Sequence, residues 1–273
     1  VMNYVQLNNG VKIPQLGLGV FQTPEGDQTR NAVKWALEAG YRHIDAAKIY
    51  GNEKSVGLGI RESGVARSDI FLTTKLWNED IRRGRAKAAF EESLEALGTD
   101  YIDLYLIHWP ADGYEQAWAD MEELYAGGRI RAIGVSNFHR HHLERLEKSA
   151  KVLPAVDQIE SHPYLNNQEL IDFCHGKGMA VEVWSPLGGT GGNLMEDAAL
   201  RELAAKYGKT PAQIILRWDI QRNVIVIPKS THQERIISNQ QIFDFELPEE
   251  DMALINSLNR NQRVGSDPDN FNF

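Results

Sequence analysis

Residues 101–138 read YIDLYLIHWPADGYEQAWADMEELYAGGRIRAIGVSNF, and this stretch holds one complete strand–helix–strand unit. Two short runs, Ile102–His108 and Ile130–Ser136, are rich in branched aliphatic residues, as buried parallel strands are. Apolar residues between the runs recur every three positions and predict one helix face. They are Trp118, Met121 and Leu124. Gly127–Gly128 lies where that helix should end. The stretch therefore predicts a β-strand, an α-helix and a second, parallel strand.

The same unit recurs along the whole chain. Six further apolar runs of this kind are Gln15–Gly19, Arg42–Asp45, Ile70–Lys75, Ala155–Glu160, Met179–Ser185 and Val224–Lys229. Helical faces between runs include Phe90, Leu94 and Leu97, and also Val33, Ala36 and Leu37. Eight strand–helix units favour an α/β fold in which a parallel sheet closes into a (β/α)₈ TIM barrel. The length of 273 residues suits one such barrel, so we expect residues 1–273 to form a single domain.

Three segments fall outside the repeat. Tyr4–Leu7 and Val11–Ile13 flank Asn8-Asn9-Gly10, which is a strong hairpin signal, and we expect this hairpin to cap the bottom of the barrel. An extra helix is expected around Leu200–Tyr207, ahead of Pro211, a residue that suits the first position of the next helix. A last helix is expected over Pro248–Leu258.

Composition narrows the class of partner. The formal net charge is −9 at pH 7, which disfavours nucleic acid as a main partner. Cys174 is the only cysteine, which excludes an intramolecular disulfide and a metal site built on cysteines. The first residues lack the basic start and apolar run of a secretion signal, and no apolar run has the length of a membrane span. We expect a cytoplasmic monomer that binds neither membranes nor nucleic acid.

Polar groups follow the predicted strands with unusual regularity. In a (β/α)₈ barrel the active site lies at the C-terminal ends of the strands. Seven successive strands end in polar or aromatic-polar residues: Asp45, Lys75, His108, Ser136–Asn137, Gln158, Trp184–Ser185 and Lys229–Ser230. Loop composition alone would supply some of these, but the whole set indicates a lined pocket.

Asp45, Lys75, Tyr50 and His108 are the candidate catalytic residues. A lysine that ends a buried strand needs a partner, and Asp45 on the neighbouring strand can supply it. The cation is expected to lower the pKa of Tyr50 and so suit this phenol to donate a proton. His108 ends the next strand, within reach of the same substrate oxygen. Taken singly, Asp45 and Lys75 are better explained as a structural ion pair, and His108 as a satisfied core histidine.

Lysine, hydroxyls and a helix start after the eighth strand suit a phosphate group. They belong to Lys229, Ser230 and Thr231, and Arg235 lies one turn further along. The alternative is a capped helix with a surface arginine nearby.

Four aromatic residues follow strands and are candidates for the pocket. Trp184 either stacks on a planar ring or belongs to the core. Phe21, Trp77 and Trp109 are expected to wall an apolar mouth. No Gly-x-Gly-x-x-Gly motif follows a strand, which excludes a Rossmann site.

A second histidine group lies away from these strand ends. His139, His141 and His142 have no cysteine or acidic pattern beside them in the sequence, so they are interpreted as surface residues, and no metal site is expected.

The motifs are similar to those of the aldo-keto reductase superfamily. They are GYRHID at 40–45, YGNE at 50–53, TKLW at 74–77, LIHWP at 106–110, GVSNF at 134–138, QIESHP at 158–163 and IPKS at 227–230. The match is collinear over almost the whole chain. The short loops and tail resemble the microbial branch, which includes diketogluconate reductases, glyoxal and methylglyoxal reductases, and a protozoan prostaglandin F synthase.

The resemblance implies an NADPH-dependent reductase of small aldehydes, ketones and α-dicarbonyls. It implies Tyr50 as the general acid, Lys75 and Asp45 as its supports, and His108 as the residue that orients the carbonyl. It also implies a set of cofactor contacts: Ser136, Asn137, Gln158 and Trp184 at the nicotinamide, Ser185 and Leu187 at the pyrophosphate, Lys229, Ser230, Thr231 and Arg235 at the 2′-phosphate, and Asn239 at adenine.

This chain departs from the family pattern at several positions. Lys48 stands where small residues are commoner, and we expect it to add positive charge at the pocket rim and favour acidic substrates. Asp157 replaces a frequent asparagine, Trp184 a frequent tyrosine, and Ser238 an acidic or amide residue. Two other functions stay open, which are a catalytically weak NADPH-binding regulatory or structural relative, and an unrelated phosphate-binding barrel isomerase.

Overall fold

The computed structural model describes residues 2–189 and 193–273. Eight parallel strands form one sheet in chain order: β3 (Leu18–Gly19), β4 (His43–Asp45), β5 (Phe71–Leu76), β6 (Ile102–Ile107), β7 (Ile130–Ser136), β8 (Val156–Glu160), β9 (Ala180–Trp184) and β10 (Ile225–Val226). The sheet closes on itself, because Leu16 bridges Val226 in parallel and Gly19 bridges Lys229. The predicted (β/α)₈ barrel is confirmed.

Helices surround the barrel. They are α1 (Asp27–Glu38), α2 (Glu53–Ser63), α3 (Asn78–Arg82), α4 (Ala86–Leu97), α5 (Tyr114–Ala126), α6 (Arg140–Glu147), α7 (Gln168–Gly176), α8 (Ala198–Tyr207), α9 (Pro211–Gln221), α10 (Gln233–Asn239) and α11 (Glu249–Asn256). Their apolar faces pack on the strands, and Trp118, Met121 and Phe90 are buried completely or nearly so. None of the helices in the described ranges is long and apolar enough to cross a membrane.

The N-terminal hairpin closes the lower end of the barrel, as predicted. Its strands β1 (Tyr4–Gln6) and β2 (Lys12–Pro14) pair antiparallel. Leu7 and Ile13 are buried against residues of the barrel strands, among them Leu104 and Ile225. The barrel floor is therefore apolar and filled, which leaves the opposite end for polar chemistry.

The two extra helices are also present. The sequence placed them at Leu200–Tyr207 and Pro248–Leu258, and they are α8 and α11. Pro211 takes the first turn of α9, where Thr210 and Gln213 form a reciprocal capping box. The chain beyond α11 returns across the C-terminal face of the barrel, where Val264 and Gly265 donate backbone hydrogen bonds to the Glu160 carboxylate.

Candidate active site

Lys75 is at the centre of a buried polar cluster at the upper end of the barrel. Its ammonium, with no exposed surface, donates to Asp45 Oδ1 at 2.6 Å, to the Ala46 carbonyl at 2.8 Å and to the Tyr50 hydroxyl at 3.2 Å. Three acceptors match the three protons of an ammonium group. Because the Tyr50 oxygen accepts from Lys75, the phenolic proton is left to point elsewhere. Asp45, Lys75 and Tyr50 therefore lie together, as the sequence predicts.

Local backbone structure brings Tyr50 to this cluster. Strand β4 ends at Asp45, and a short 3₁₀ turn over Lys48–Tyr50 follows directly. Gly51 ends the turn in the left-handed conformation with φ 70°, which glycine adopts without strain. The side chain of Tyr50 consequently folds back over the strand ends.

The pKa of Tyr50 beside Lys75 differs from the sequence prediction. Burial raises the pKa of Tyr50 above its ordinary value, and the opposing effect of the Lys75 charge only partly offsets it. Burial also lowers the pKa of Lys75, but the Asp45 charge and the hydrogen bonds to Asp45 and Tyr50 outweigh it, so the net pKa lies above normal. The expected lowering of the Tyr50 pKa is therefore wrong. Both groups stay protonated at neutral pH.

His108 follows strand β6 and faces the same space. Its ring centre lies 5.8 Å from that of Tyr50 and 5.3 Å from that of Trp77, edge to face in both cases. Burial, with the Lys75 charge, holds the pKa of His108 well below its usual range. The imidazole is neutral at pH 7 and can donate a hydrogen bond without carrying charge.

The proposed nicotinamide residues form a connected network on strands β7 to β9. Ser136 Oγ donates to the Gln158 carbonyl at 2.9 Å, and Gln158 Nε2 donates to Asp45 Oδ2 at 2.8 Å. Asn137 accepts a hydrogen bond from Trp184 Nε1 at 2.9 Å and donates to the His108 carbonyl at 3.0 Å. Asn137 therefore fixes the edge of the Trp184 indole, a positioning role that the sequence did not suggest.

A cofactor with a planar ring and phosphates fits the surrounding residues. The Trp184 indole is partly exposed, and Gly265 lies so close to the ring that an added Cβ would fall 2.2 Å from it. Ser185 has a φ of 47° and Gly188 one of 81°, so the turn that contains Leu187 follows a path rarely open to side-chain-bearing residues. Lys229 and Arg235 are exposed cations near the start of α10, and they suit a phosphate.

Other members of the presumed phosphate group are less exposed. The Ser230 hydroxyl accepts from the backbone N–H of His232 at 3.1 Å, and Thr231 is half-buried beside it. Asn239 is buried at the end of α10. These residues lie together along one side of the barrel mouth, after the eighth strand.

The mouth is lined by more aromatic residues than the sequence predicted. Phe21, about half exposed, lies 5.3 Å from the Tyr50 ring. Phe273 stacks on Trp77 at 6.0 Å and meets Trp109 edge-on at 5.1 Å, and Phe271 lies 5.3 Å from Trp109. The additional rings come from the C-terminal tail, because the segment after α11 folds back over the strand ends.

Lys48 does not add charge to the rim. Its ammonium lies 3.0 Å from Asp80 Oδ2 and 3.3 Å from Glu92 Oε1, and Arg85 binds the same two carboxylates. The two acids neutralise Lys48 and hold it against helices α3 and α4. The expected preference for acidic substrates therefore loses its basis.

Glu182 is a buried acid that the sequence analysis missed. It points into the barrel from β9 with no exposed surface, 3.7 Å from His43 Nε2. Burial raises the pKa of Glu182 well above normal, and the Asp45 charge adds to this. Burial lowers the pKa of His43 to about 4. His43 is therefore uncharged at neutral pH, and burial disfavours the charged form of Glu182 beside it.

Comparison with known proteins agrees with this architecture. The Aldo/keto reductase family model matches residues 15–260. The chain is 53% identical over 270 residues to glyoxal reductase of Bacillus subtilis, covering 98% of this chain and 97% of that protein. It is 51% identical over 271 residues to 9,11-endoperoxide prostaglandin H2 reductase of Trypanosoma cruzi, covering 98% and 96%.

A solved structure of a relative has the same fold. The crystal structure of a Bombyx mori aldo-keto reductase in complex with NADP superimposes with a TM-score of 0.91 at 41% identity, covering 98% of this chain and 96% of that one. The resemblance to the microbial branch, with its glyoxal and prostaglandin reductases, is confirmed. The chain belongs to the aldo/keto reductase family.

Proposed function

We propose that this protein, an NADP-dependent oxidoreductase by its family, reduces small aldehydes, ketones and α-dicarbonyls to alcohols with Tyr50 as the general acid. One observation carries the proposal: the Tyr50 hydroxyl accepts a hydrogen bond from the buried Lys75 ammonium, which Asp45 holds at 2.6 Å. A phenol fixed in this way has its own proton free to donate into the pocket.

Tyr50 and Lys75 together account for the proton transfer. A substrate carbonyl oxygen that lies between Tyr50 and His108 receives the phenolic proton as negative charge develops on it. The nearby Lys75 cation stabilises the phenolate that remains. The raised pKa of Tyr50 keeps it protonated at neutral pH before the reaction, as an acid must be.

His108 is proposed to orient the substrate carbonyl, and the Asp45–Lys75 ion pair is itself held in a fixed orientation. A neutral imidazole donates one hydrogen bond to the carbonyl oxygen and does not compete with Tyr50 as an acid. Asp45 accepts from Lys75 through one oxygen and from Gln158 through the other, so its orientation is fixed.

The cofactor assignment rests on the residues that surround the pocket. NADPH, when bound, supplies the hydride that the carbonyl carbon receives. Trp184, Ser136, Asn137 and Gln158 are proposed to hold the nicotinamide end, and Ser185 and Leu187 to lie along the pyrophosphate. A second group is proposed for the adenosine phosphate end: Lys229, Ser230, Thr231, Arg235 and Asn239. The Bombyx mori relative in complex with NADP supports NADP as the cofactor.

A direct assay separates an active reductase from a weak cofactor-binding relative. NADPH absorbance should fall on addition of phenylglyoxal or methylglyoxal, with an alcohol product identified by chromatography. NADPH binding measured by quenching of tryptophan fluorescence, without turnover of any aldehyde, dicarbonyl or keto sugar, would support the non-enzymatic relative. Turnover of a sugar phosphate without nicotinamide would support the isomerase.

We also propose that the protein is a monomer and that it works in the cytoplasm. Residues 1–273 are proposed to form a single domain. Light scattering at micromolar concentration tests the monomer. A dimer peak that persists on dilution would contradict it.

A further inference from the structure

Three histidines and one carboxylate converge outside the active site. One nitrogen from each of His139, His141 and His142 and one oxygen of Asp269 all lie within 4.8 Å of one another. Asp269 Oδ2 lies 3.0 Å from His139 Nδ1, and Asp269 Oδ1 lies 2.5 Å from His141 Nε2. The histidines belong to the start of α6, whereas Asp269 comes from the C-terminal tail, 128 residues after His141.

The spacing suits a small divalent cation. A tetrahedral Zn²⁺ ion with bonds of about 2.0–2.1 Å needs ligand atoms roughly 3.3 Å apart. The gap of 3.0 Å from His139 Nδ1 to Asp269 Oδ2 is close to that value. The 2.5 Å from His141 Nε2 to the other oxygen, Asp269 Oδ1, is a hydrogen-bond distance, so this pair has to separate by several tenths of an ångström when a metal enters. Imidazole nitrogens with one carboxylate oxygen are a ligand set that Zn²⁺ and Co²⁺ accept.

Hydrogen bonding decides which histidines can be ligands. A ring that binds metal through one nitrogen carries its proton on the other. His142 Nδ1 accepts the backbone N–H of His139 at 2.9 Å, so its proton sits on Nε2, the atom nearest Asp269. His142 is therefore a neighbour and not a ligand. His141 is mostly exposed, and its Nδ1 can carry the proton that coordination through Nε2 requires.

His139 can be a ligand after one side-chain movement. Arg263 lies 3.2 Å from His139 Nε2, which must become a donor when Nδ1 binds metal. The guanidinium can move toward Asp267, whose carboxylate is already 4.0 Å away. The N-terminal end of α6 repels a cation, so the negative charge of Asp269 is needed to offset it.

We propose that His139, His141 and Asp269 bind a Zn²⁺-class divalent cation, with water in the remaining position, and that the bound metal fastens the C-terminal tail to α6. Asp269 is two residues from Phe271, whose ring packs on Trp109 at 5.3 Å. A metal at Asp269 consequently holds the aromatic tail across the barrel mouth. Binding itself is independent of the proposed function, and only an effect on turnover rests on that function.

Cobalt spectroscopy tests the site. Protein without a histidine tag should bind one equivalent of Co²⁺ with the intense visible bands of a four-coordinate ion, and Zn²⁺ should displace it. His141→Ala and Asp269→Asn should weaken Co²⁺ binding at least about tenfold. His142→Gln should retain binding, and so should the matched control His175→Ala, on the exposed surface of α7. Absence of the bands, or bands that survive His141→Ala, would overturn the site.

Hydrogen exchange tests the fastening. Zn²⁺ should slow amide exchange over residues 263–273 in the wild-type protein and in His175→Ala, but not in Asp269→Asn. Unchanged tail exchange with one bound Zn²⁺ would overturn the fastening role. Since neither readout uses turnover, an inactive enzyme would leave both results interpretable.

Discussion

At the scale of single residues, burial decides the charge state of almost every group near Lys75. Desolvation holds Tyr50, His108 and His43 in the uncharged form and raises the pKa of Glu182. Among the basic side chains there, Lys75 keeps its charge against desolvation, because Asp45 pairs with it. The site therefore presents one buried cation beside one neutral phenol.

Replacing Tyr50 with Phe should lower kcat by about 10²–10⁴, the usual contribution of a positioned acid. NADPH affinity should change little, since the ring remains and only the hydroxyl is lost. Stopped-flow turnover of methylglyoxal and fluorescence titration with NADPH give the two quantities. Tyr125→Phe is the matched control, because the Tyr125 hydroxyl accepts a hydrogen bond from Asn9 at the surface. A Tyr50→Phe enzyme with near wild-type kcat would mean that another group donates the proton.

Cofactor selectivity should depend on Lys229 and Arg235. A charge-assisted hydrogen bond contributes about 1.5–3 kcal/mol, so the wild-type protein should bind NADPH more than roughly tenfold tighter than NADH. Arg235→Ala should weaken NADPH binding and leave NADH binding nearly unchanged, whereas Arg201→Ala on the exposed surface of α8 should affect neither. Calorimetric Kd values for both cofactors provide the comparison. Equal Kd values of the wild-type protein for NADPH and NADH would contradict the assignment of Lys229 and Arg235 to the 2′-phosphate.

At the scale of elements, helices α1, α2 and α4 pack so closely at two glycines of α2 that no space remains there for a Cβ atom. A Cβ added at Gly57 in α2 would lie 2.3 Å from the Leu97 carbonyl oxygen at the end of α4. One added at Gly59 would lie 2.6 Å from the Arg30 carbonyl oxygen of α1. Both contacts are to backbone atoms, which cannot turn aside as a flexible side chain can.

Gly57→Ala should therefore lower the free energy of unfolding by about 1–3 kcal/mol, the usual cost of overpacking. Gly176→Ala is the control, because it lies in α7 with nothing within 4 Å of the added Cβ. Alanine there should be neutral or stabilise by up to about 1 kcal/mol through helix propensity. Urea unfolding gives both values. Equal stability of the two variants would show that α2 shifts to relieve the contact.

At the scale of the whole molecule, the barrel mouth is assembled from distant parts of the chain. Phe21 follows the first barrel strand, Trp77 and Trp109 follow the third and fourth, and Phe271 and Phe273 come from the tail. Asn78 and Arg82 both donate to the Phe273 carbonyl, which anchors the end of the tail to α3. The result is an entrance walled by aromatic side chains.

Small activated carbonyls should outperform bulky ones. We expect methylglyoxal, phenylglyoxal or a diketo sugar acid to exceed any steroid ketone in kcat/KM, which reports transition-state discrimination. Phe273→Ala should raise the relative kcat/KM for the bulky substrate by opening the entrance. Phe245→Ala, away from the mouth beside Tyr207, should not. A steroid that outperforms every dicarbonyl with the wild-type enzyme would contradict this expectation.

Local signals were sufficient for most of the fold. Each barrel strand is a short apolar run that has to be buried on both sides, and each helix shows a 3–4 residue repeat, so the eight units could be read without long-range information. The end of each strand was predictable to within a few residues. Because all parallel strands share one direction, their terminal polar residues must lie on one face, which brings Asp45, Lys75 and His108 together.

Only the tertiary structure decided which charges meet and how deeply they are buried. Lys48 pairs with Asp80 and Glu92, which are 32 and 44 residues away. Asp269 reaches His141 across 128 residues. Coulomb and desolvation energies depend on distance in space and on exclusion of water, and neither can be read directly from the order of the residues. The sequence by itself therefore determined the barrel and the identity of its polar rim, while the fold determined the raised pKa values of Tyr50 and Glu182 and the path of the aromatic tail.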